Sequence, residues 1–165
     1  MKIKNALIGL ALLLAVGGSG YYTYRHFVLP SQQCDICGRA VHAEHDSIVQ
    51  LKDGTRIHTC CPRCALHYEM HKAGQVARLM VADRATGERL DAPNAFYVEG
   101  SDDHSCVPAS EASPRELGVE YNRAFDRCLP SLVAFKQESD ARSFVSSHGG
   151  KFLTYEQAVA SVKQR

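Results

Sequence analysis

The residues best suited to chemistry are cysteines in two short motifs. Cys34 and Cys37 form a C-x-x-C pair, and Cys60, Cys61 and Cys64 form a C-C-x-x-C motif further along the chain. Paired cysteines at such spacings are typical of tetrahedral sites in which thiolates approach a soft metal ion from two directions. The sequence therefore predicts a metal site at these five cysteines, with copper(I) or zinc as the ion.

The same cysteines leave alternatives open. Disulfides or free thiols are one, although a total of seven cysteines cannot pair completely within one chain. The fourth ligand beside Cys34, Cys37 and Cys64 is also open. Cys61 gives a C-x-x-C spacing at a helix start, where a thiolate is favoured. Cys60 gives the C-x-x-x-C spacing of the small metal-sensing TRASH domains. The remaining thiol is then either a ligand for metal exchange or a core cysteine.

Additional ligands are suggested by position. His67 and His71 continue the helical stripe that begins at Cys64, and a solvated helix face is the ordinary alternative for them. Cys106 and Cys128 bracket a polar stretch, so they predict either a disulfide that closes this loop or a second metal site.

Local patterns place the first cysteines on defined elements. Ser47–Leu51 and residues 55–59 are β-prone runs joined through Asp-Gly, which predicts a hairpin. Pro62 suits the first turn of a helix that continues to Lys72. A knuckle, a hairpin and a helix in this order are the elements of a treble-clef zinc finger.

The rest of the chain mixes strands and helices without a sequence repeat of 20–50 residues. We predict strands at Val76–Ala82, 95–98, Leu132–Phe135 and 151–153, a helix capped by Ser139 that ends at His148, and a final helix opened by a capping box of Thr154 and Gln157. This mixture predicts an α+β fold.

The N-terminus resembles an export signal. Lys2 and Lys4 precede an apolar or glycine run at residues 6–16, and tyrosines follow at positions where an interfacial aromatic belt belongs. We interpret residues 1–26 as an uncleaved transmembrane signal anchor, with cleavage as the alternative. The remaining chain is then extracytoplasmic, on the periplasmic side.

The predicted domain organisation follows from these segments. It consists of the anchor at 1–26, a tether at 27–33 and a metal-binding domain at 34–165, within which 34–74 is cysteine-rich and 100–128 is an inserted loop.

Two classes of function lack support in the sequence. The 19 basic and 18 acidic residues nearly cancel and form no basic run, which argues against a nucleic-acid partner. No nucleophile–base pair or phosphate loop supports hydrolase or kinase chemistry. Catalysis as a thiol oxidoreductase is a weaker hypothesis than metal binding, because Cys34 and Cys37 precede a hairpin rather than open a helix. We therefore predict that the protein is not an enzyme.

A series of short motifs resembles the NosL family of copper-binding accessory proteins of nitrous oxide reductase. The motifs are Cys34-Asp35-Ile36-Cys37-Gly38, Asp91-Ala92, Ala95-Phe96-Tyr97-Val98-Glu99-Gly100, Ala134-Phe135, Ala141, Phe144 and His148-Gly149-Gly150. The resemblance implies an α/β fold of strand-and-helix units and the handling of Cu(I) for an exported copper enzyme.

The chain departs from that family at its ligands. Arg39 stands where the family has a methionine after C-x-x-C-G, and Cys128 falls at a second methionine position. A thioether site has thus lost its ligands and a thiolate site has gained them, and thiolates suit both Cu(I) and Zn(II). A Cu(I) chaperone or assembly factor with a protein client is one hypothesis, and a structural zinc domain for protein–protein interaction at the membrane face is the other.

Overall fold

Two small antiparallel sheets form the framework of the molecule. The computed structural model describes residues 17, 18, 20, 32–103, 106–107 and 126–164. Within these residues the elements are β1 (Ser47–Leu51), β2 (Arg56–Thr59), α1 (Pro62–Lys72), β3 (Val76–Ala82), β4 (Arg89–Asp91), β5 (Phe96–Glu99), β6 (Leu132–Phe135), α2 (Glu138–His148), β7 (Lys151–Leu153) and α3 (Tyr155–Lys163), with short 3₁₀ turns at Ala73–Gln75 and Ala92–Asn94. The predicted α+β class is confirmed.

The two sheets share one topology. The strand order is β2-β1-β3-β4 in the first sheet and β6-β5-β7 in the second. In the first sheet, β1 lies between β2, which precedes α1 in the chain, and β3, which follows it. In the second sheet, β5 lies in the same way between β6 and β7, on either side of α2 in the chain. Each half is thus a ββαβ unit. The topology repeats although the sequence shows no repeat.

The junction between the second strand and the helix is equally long in both halves. Cys60 and Cys61 join β2 to α1, and Lys136 and Gln137 join β6 to α2. Each helix has 11 residues. Cys64 in α1 is therefore the topological counterpart of Asp140 in α2.

The hairpins differ in their loops. Gly54, with a φ of 89°, allows the tight turn between β1 and β2 that the Asp-Gly signal predicts. The connection between β5 and β6 instead runs through the predicted insert, of which residues 104–105 and 108–125 lie outside the described part. The end of this insert returns to the first half and carries Cys128.

The main core lies between the sheets and helices α1 and α3. Its fully buried members include Val49, Val81 and Tyr97. The Tyr97 hydroxyl donates a hydrogen bond to the carbonyl of Ala92 at 2.8 Å, so the polar end of this aromatic side chain is satisfied. This core fixes the two halves around the start of α1.

Several predicted boundaries are confirmed and one is wrong. Strands β3, β6 and β7 and helix α1 have their predicted bounds, and the Thr154–Gln157 capping box is present. Helix α2, however, begins at Glu138 with Gln137 at its N-cap, so Ser139 lies in the first turn. Strand β4 was not predicted, because its three residues carry little periodicity.

The predicted membrane anchor lies outside the described residues, apart from Gly17, Gly18 and Gly20. Among the residues that the structure describes, none of the helices combines the length and the apolar character needed to cross a bilayer.

Candidate metal centre

The first pair of thiols is held in a tight knuckle. The amide of Cys34 donates to the carbonyl of Arg39 at 2.7 Å, and the amide of Gly38 donates to the carbonyl of Cys34 at 2.8 Å. Gly38 has a φ of 78°, which permits this turn. The amide of Cys37 points at the Cys34 sulfur at 3.5 Å, and such a donor favours a thiolate.

The knuckle is fixed to strand β2 by a reciprocal pair of hydrogen bonds. The Asp35 carboxylate accepts from the amide of His58 at 2.7 Å, and the amide of Asp35 donates to the carbonyl of His58 at 2.8 Å. These bonds place Cys34 and Cys37 beside the end of β2, where the second cysteine motif begins.

The second motif surrounds the start of α1. Cys61 is the N-cap, with an extended backbone (φ −162°, ψ 161°) and no side-chain capping bond. The sulfurs of Cys60 and Cys61 are 3.8 Å apart, so both side chains turn toward the cluster. The sulfurs of Cys60 and Cys64 are 3.9 Å apart. All three side chains are buried.

The end of the insert brings Cys128 into the same cluster. Its sulfur lies 3.5 Å from that of Cys64, 3.6 Å from that of Cys60 and 3.8 Å from that of Cys37. Cys128 is fully buried. Six buried cysteines from three separate segments therefore converge: Cys34, Cys37, Cys60, Cys61, Cys64 and Cys128.

The spacing between these sulfurs fits metal coordination. The hydrogen-bonded sulfur pairs are 3.5 to 3.9 Å apart, and none of the seven cysteines, all of which the structure describes, is in a disulfide. A disulfide requires a sulfur–sulfur bond of about 2.05 Å. A tetrahedral ion with metal–sulfur bonds of about 2.3 Å separates its thiolates by about 3.8 Å. The chemistry and separation of the donors match a thiolate-bound soft ion.

Two overlapping groups of four thiols have the spacing of metal ligands. In each group all sulfurs lie within 4.8 Å of one another; the groups are Cys34, Cys37, Cys60, Cys64 and Cys60, Cys61, Cys64, Cys128. The structure thus places Cys60, rather than Cys61, with the knuckle pair and Cys64. Cys61 belongs to the second group.

The structure places some of the additional ligands suggested by the sequence inside the cluster and others outside it. Cys128 joins the cluster, whereas His67 and His71 of α1 are in neither group of potential ligands among the described residues, and His71 is exposed. Cys106 is half-buried and packs against the cluster. It is not bonded to Cys128, so the expected disulfide between them is absent from this structure.

Two buried arginines hold the Cys128 segment in place. Arg39 makes a bidentate ion pair with Asp126, at 2.8 and 2.5 Å, and Asp126 also accepts a hydrogen bond from the amide of Cys128 at 2.9 Å. Arg63 of α1 donates to the carbonyl of Pro130 at 2.7 Å and pairs with Glu99.

Sequence reasoning missed these supports. In the sequence, Arg39 stands out only as a replacement for methionine. Asp126, two positions before Cys128, is the signal from which its partner could have been found. Burial lowers the pKa of Arg39, but the hydrogen bond to Asp126 and the charge of Cys128 outweigh this effect and raise it. Arg39 therefore keeps a positive charge beside the cluster.

The outer thiols of the cluster favour the thiolate form. Hydrogen bonds with Cys106, Cys37 and Cys60 lower the pKa of Cys128 to about 2. The hydrogen bond with Cys128 raises the pKa of Cys37, but those with Cys34 and Cys60 act in the opposite direction, and the result is a pKa of about 4.

The central thiols favour the protonated form. Hydrogen bonds with Cys106 and Cys128 raise the pKa of Cys60, and burial adds to this. The pKa of Cys64 is also raised, chiefly by its bond with Cys128. The cluster therefore places thiols that can donate beside thiolates that accept.

Comparison with solved structures shows what the fold is similar to. It resembles a copper chaperone. The neighbour is the crystal structure of the copper chaperone NosL from Shewanella denitrificans, with a TM-score of 0.54 and 18% sequence identity. The match covers 76% of this chain and 88% of the NosL chain. No protein-family profile matches this chain, and no curated protein matches it.

The similarity in fold agrees with the resemblance predicted from the sequence motifs. Because the identity is low, it establishes the architecture rather than the ligands. The cysteine cluster is a property of this chain's own residues, and it could hold a metal ion.

Proposed function

We propose that this protein is an extracytoplasmic, membrane-anchored metal-binding protein that binds Cu(I) through its cysteine cluster and delivers it to an exported copper enzyme. The observation that carries this proposal is the convergence of six buried thiols from three segments at ligand spacing, with no disulfide among them. Thiolates are soft ligands and select Cu(I) or zinc over hard cations. The architecture shared with a copper chaperone supports Cu(I) as the cargo.

Delivery requires a route for ligand exchange. Cys106 is the only described cysteine that is not fully buried, and it packs against the cluster. Its own pKa is raised, chiefly by its hydrogen bond with Cys128, so it would release a proton on accepting Cu(I). Its position at the edge of the cluster suits Cys106 to accept Cu(I) from the buried thiolates and present it to a partner.

The location rests on the N-terminal sequence. The basic start and the apolar run of residues 6–16 are features of an export signal or anchor. An extracytoplasmic domain with free thiols needs a metal or a reducing partner to keep them from oxidising. A bound Cu(I) ion would provide this protection.

Structural zinc is the second candidate, and the burial of the cluster favours it. Cys34, Cys64 and Cys128 are fully buried, as expected for ligands that hold an ion permanently. In this case the domain would serve protein–protein interaction at the membrane face.

Metal exchange distinguishes the two candidates. The full chain is purified anaerobically in detergent, its metal content is measured by elemental analysis, and it is then incubated with a Cu(I) chelator of known affinity. We expect bound Cu(I) that exchanges with the chelator, and weaker binding in Cys37→Ser. Stoichiometric zinc that Cu(I) cannot displace would contradict the chaperone proposal and support the structural one.

The location has a separate test. A reporter enzyme that is active only outside the cytoplasm is fused after the C-terminus, and membranes are washed with alkaline carbonate. We expect an active reporter that stays with the membrane. An inactive reporter would contradict the export, and release by carbonate would contradict the anchor.

A further inference from the structure

We propose that the cluster binds two Cu(I) ions, bridged by the thiolates of Cys60 and Cys64. This inference rests on the proposed function, since it concerns how the same site holds its cargo. Each ion would occupy one of the two groups of four thiols. Cys34 and Cys37 would be terminal ligands of one ion, and Cys61 and Cys128 terminal ligands of the other.

The overlap between the groups carries the inference. Both groups satisfy the same spacing, and they have Cys60 and Cys64 in common. Two tetrahedra that share two vertices share an edge, and ligands on a shared edge are bridges. A single ion at the centre could instead use Cys37, Cys60, Cys64 and Cys128, whose sulfurs also lie within 4.8 Å of one another. That ion would leave the buried thiols of Cys34 and Cys61 without a metal, whereas two ions would use all six.

The number of sulfurs around Cys60 supports a bridging role. A terminal ligand of one tetrahedral ion has three sulfur neighbours, whereas a bridging ligand between two such ions has five. The Cys60 sulfur lies 3.5 Å from that of Cys37, 3.8 Å from that of Cys61, 3.9 Å from that of Cys64 and 3.6 Å from that of Cys128. The Cys34 sulfur is also within 4.8 Å.

Cys64 has the same set of neighbours. It shares one group with Cys34 and Cys37 and the other with Cys61 and Cys128. The sulfurs of Cys37 and Cys128 are 3.8 Å apart, so each of these terminal ligands has a fourth sulfur neighbour, one fewer than Cys60 and Cys64 have. The six thiols therefore form one compact cage rather than two separate sites.

The shared edge sets the separation of the two ions. With an edge of 3.9 Å between Cys60 and Cys64 and metal–sulfur bonds of about 2.3 Å, the two ions would lie about 2.4 Å apart. A separation this short gives a metal–metal scattering path that a site with one ion lacks.

Metal stoichiometry and metal–metal scattering test the inference. The full chain is titrated anaerobically with Cu(I), the bound ions are counted by native mass spectrometry, and X-ray absorption is recorded at the copper edge. We expect saturation at two ions per chain with a short copper–copper scattering path. Cys34→Ser and Cys61→Ser should each bind one ion and lose this path.

The bridging variants give a sharper result. Cys60→Ser should lose the copper–copper path and weaken both ions, because it removes a ligand from each. His71→Ala provides a control in α1 outside the cage and should keep both ions and the path.

The outcomes separate this inference from the proposed function. Saturation at one ion, or at two ions without a copper–copper path, would overturn the binuclear site and leave Cu(I) binding intact. Saturation above two ions would also overturn it. The absence of any bound Cu(I) would overturn both proposals.

Discussion

The two ββαβ halves place different negatively charged side chains at the starts of their helices. The positive end of α1 lies among buried cysteines and has no acidic residue in its first turn, whereas α2 has Glu138 and Asp140 there, both exposed. A helix start favours negative charge. In the first half the N-cap Cys61 provides it, because hydrogen bonds with Cys106 and Cys128 lower the pKa of its thiol. Carboxylates in contact with solvent provide it in the second half.

The difference arises from what covers each helix start. In the first half the knuckle and the end of the insert enclose Cys60 and Cys64. In the second half the amide of Lys136, in the junction before α2, donates to the buried carboxylate of Asp83 at 3.1 Å. One topology thus gives a buried thiol cage in one half and an ordinary solvated helix start in the other.

The largest expected effect comes from removing the ion pair that holds the Cys128 segment against the first half. Arg39→Leu leaves Asp126 buried without its partner, and breaking a buried ion pair costs about 3–5 kcal/mol of unfolding free energy. The pair is almost fully buried. Urea unfolding of the metal-free protein under reducing conditions measures this cost.

The matched control is a pair at the start of α2. Arg142 pairs with Glu138 on the exposed face of that helix. Arg142→Leu removes this pair, worth about 0.3–0.5 kcal/mol, and the contact of its guanidinium with the Phe152 ring at 4.4 Å, worth about 0.5–1 kcal/mol. Its total cost should therefore stay well below that of Arg39→Leu. Equal losses in the two variants would contradict the role assigned to Arg39.

The second effect concerns metal-linked stability. A ligand that binds only the folded state stabilises it by about 2.7 kcal/mol at a free concentration of 100 times its Kd. We expect buffered Cu(I) to give this increase in the unfolding free energy of the unmodified chain. Cys64→Ser should lose most of it at the same Cu(I) concentration.

The topological counterpart provides the comparison. Asp140→Ser makes a change at the equivalent position of α2, where the side chain is exposed. This variant should retain the full stabilisation by Cu(I). A similar loss in both variants would show that the first half is not the site.

The third effect is the dependence of metal affinity on pH. Since the pKa values of Cys60 and Cys64 are raised, these groups carry protons at neutral pH and must release them to bind a metal. Affinity is therefore lost as pH falls and gained as it rises. Each released proton changes the affinity about tenfold per pH unit, or about 1.4 kcal/mol.

Competition with a chelator at several pH values measures this slope. Cys60→Ser removes one of the protonated groups and should reduce the slope by one proton. An affinity that does not change between pH 6.5 and 7.5 would contradict the assignment of protonated central thiols.

The smallest effect tests the side of the molecule away from the site. Thr154→Ala removes the capping box of α3, in which the Thr154 hydroxyl accepts from the amide of Gln157 at 3.4 Å. The loss should be about 1 kcal/mol of unfolding free energy. Cu(I) affinity should not change, and a parallel loss of affinity would mean that the second half contributes to the site.

The parts of the structure that were predictable are those fixed by local signals. Gly54 after Asp53 specifies the hairpin turn, Pro62 the start of α1, and Thr154 with Gln157 the start of α3. In each case residues within one turn determine the backbone. The convergence of the two cysteine motifs followed from the order of the elements they flank.

The parts that were not predictable depend on contacts distant in sequence. Arg39 and Asp126 are 87 positions apart, and their pairing depends on how the insert returns from the second half. The choice of Cys60 for the knuckle group depends on a tertiary contact, since its sulfur lies 3.5 Å from that of Cys37. Ser139 is not the N-cap, because α2 begins one residue before it, at Glu138.

The bonds between Asp35 and His58 have a consequence for how much order metal binding must supply. Together with the β1–β2 hairpin, they connect the knuckle to the start of α1 through protein contacts. Part of the conformational entropy of bringing Cys34, Cys37, Cys60 and Cys64 together is therefore lost when the domain folds. The ordering cost left for metal binding at these four residues is correspondingly smaller.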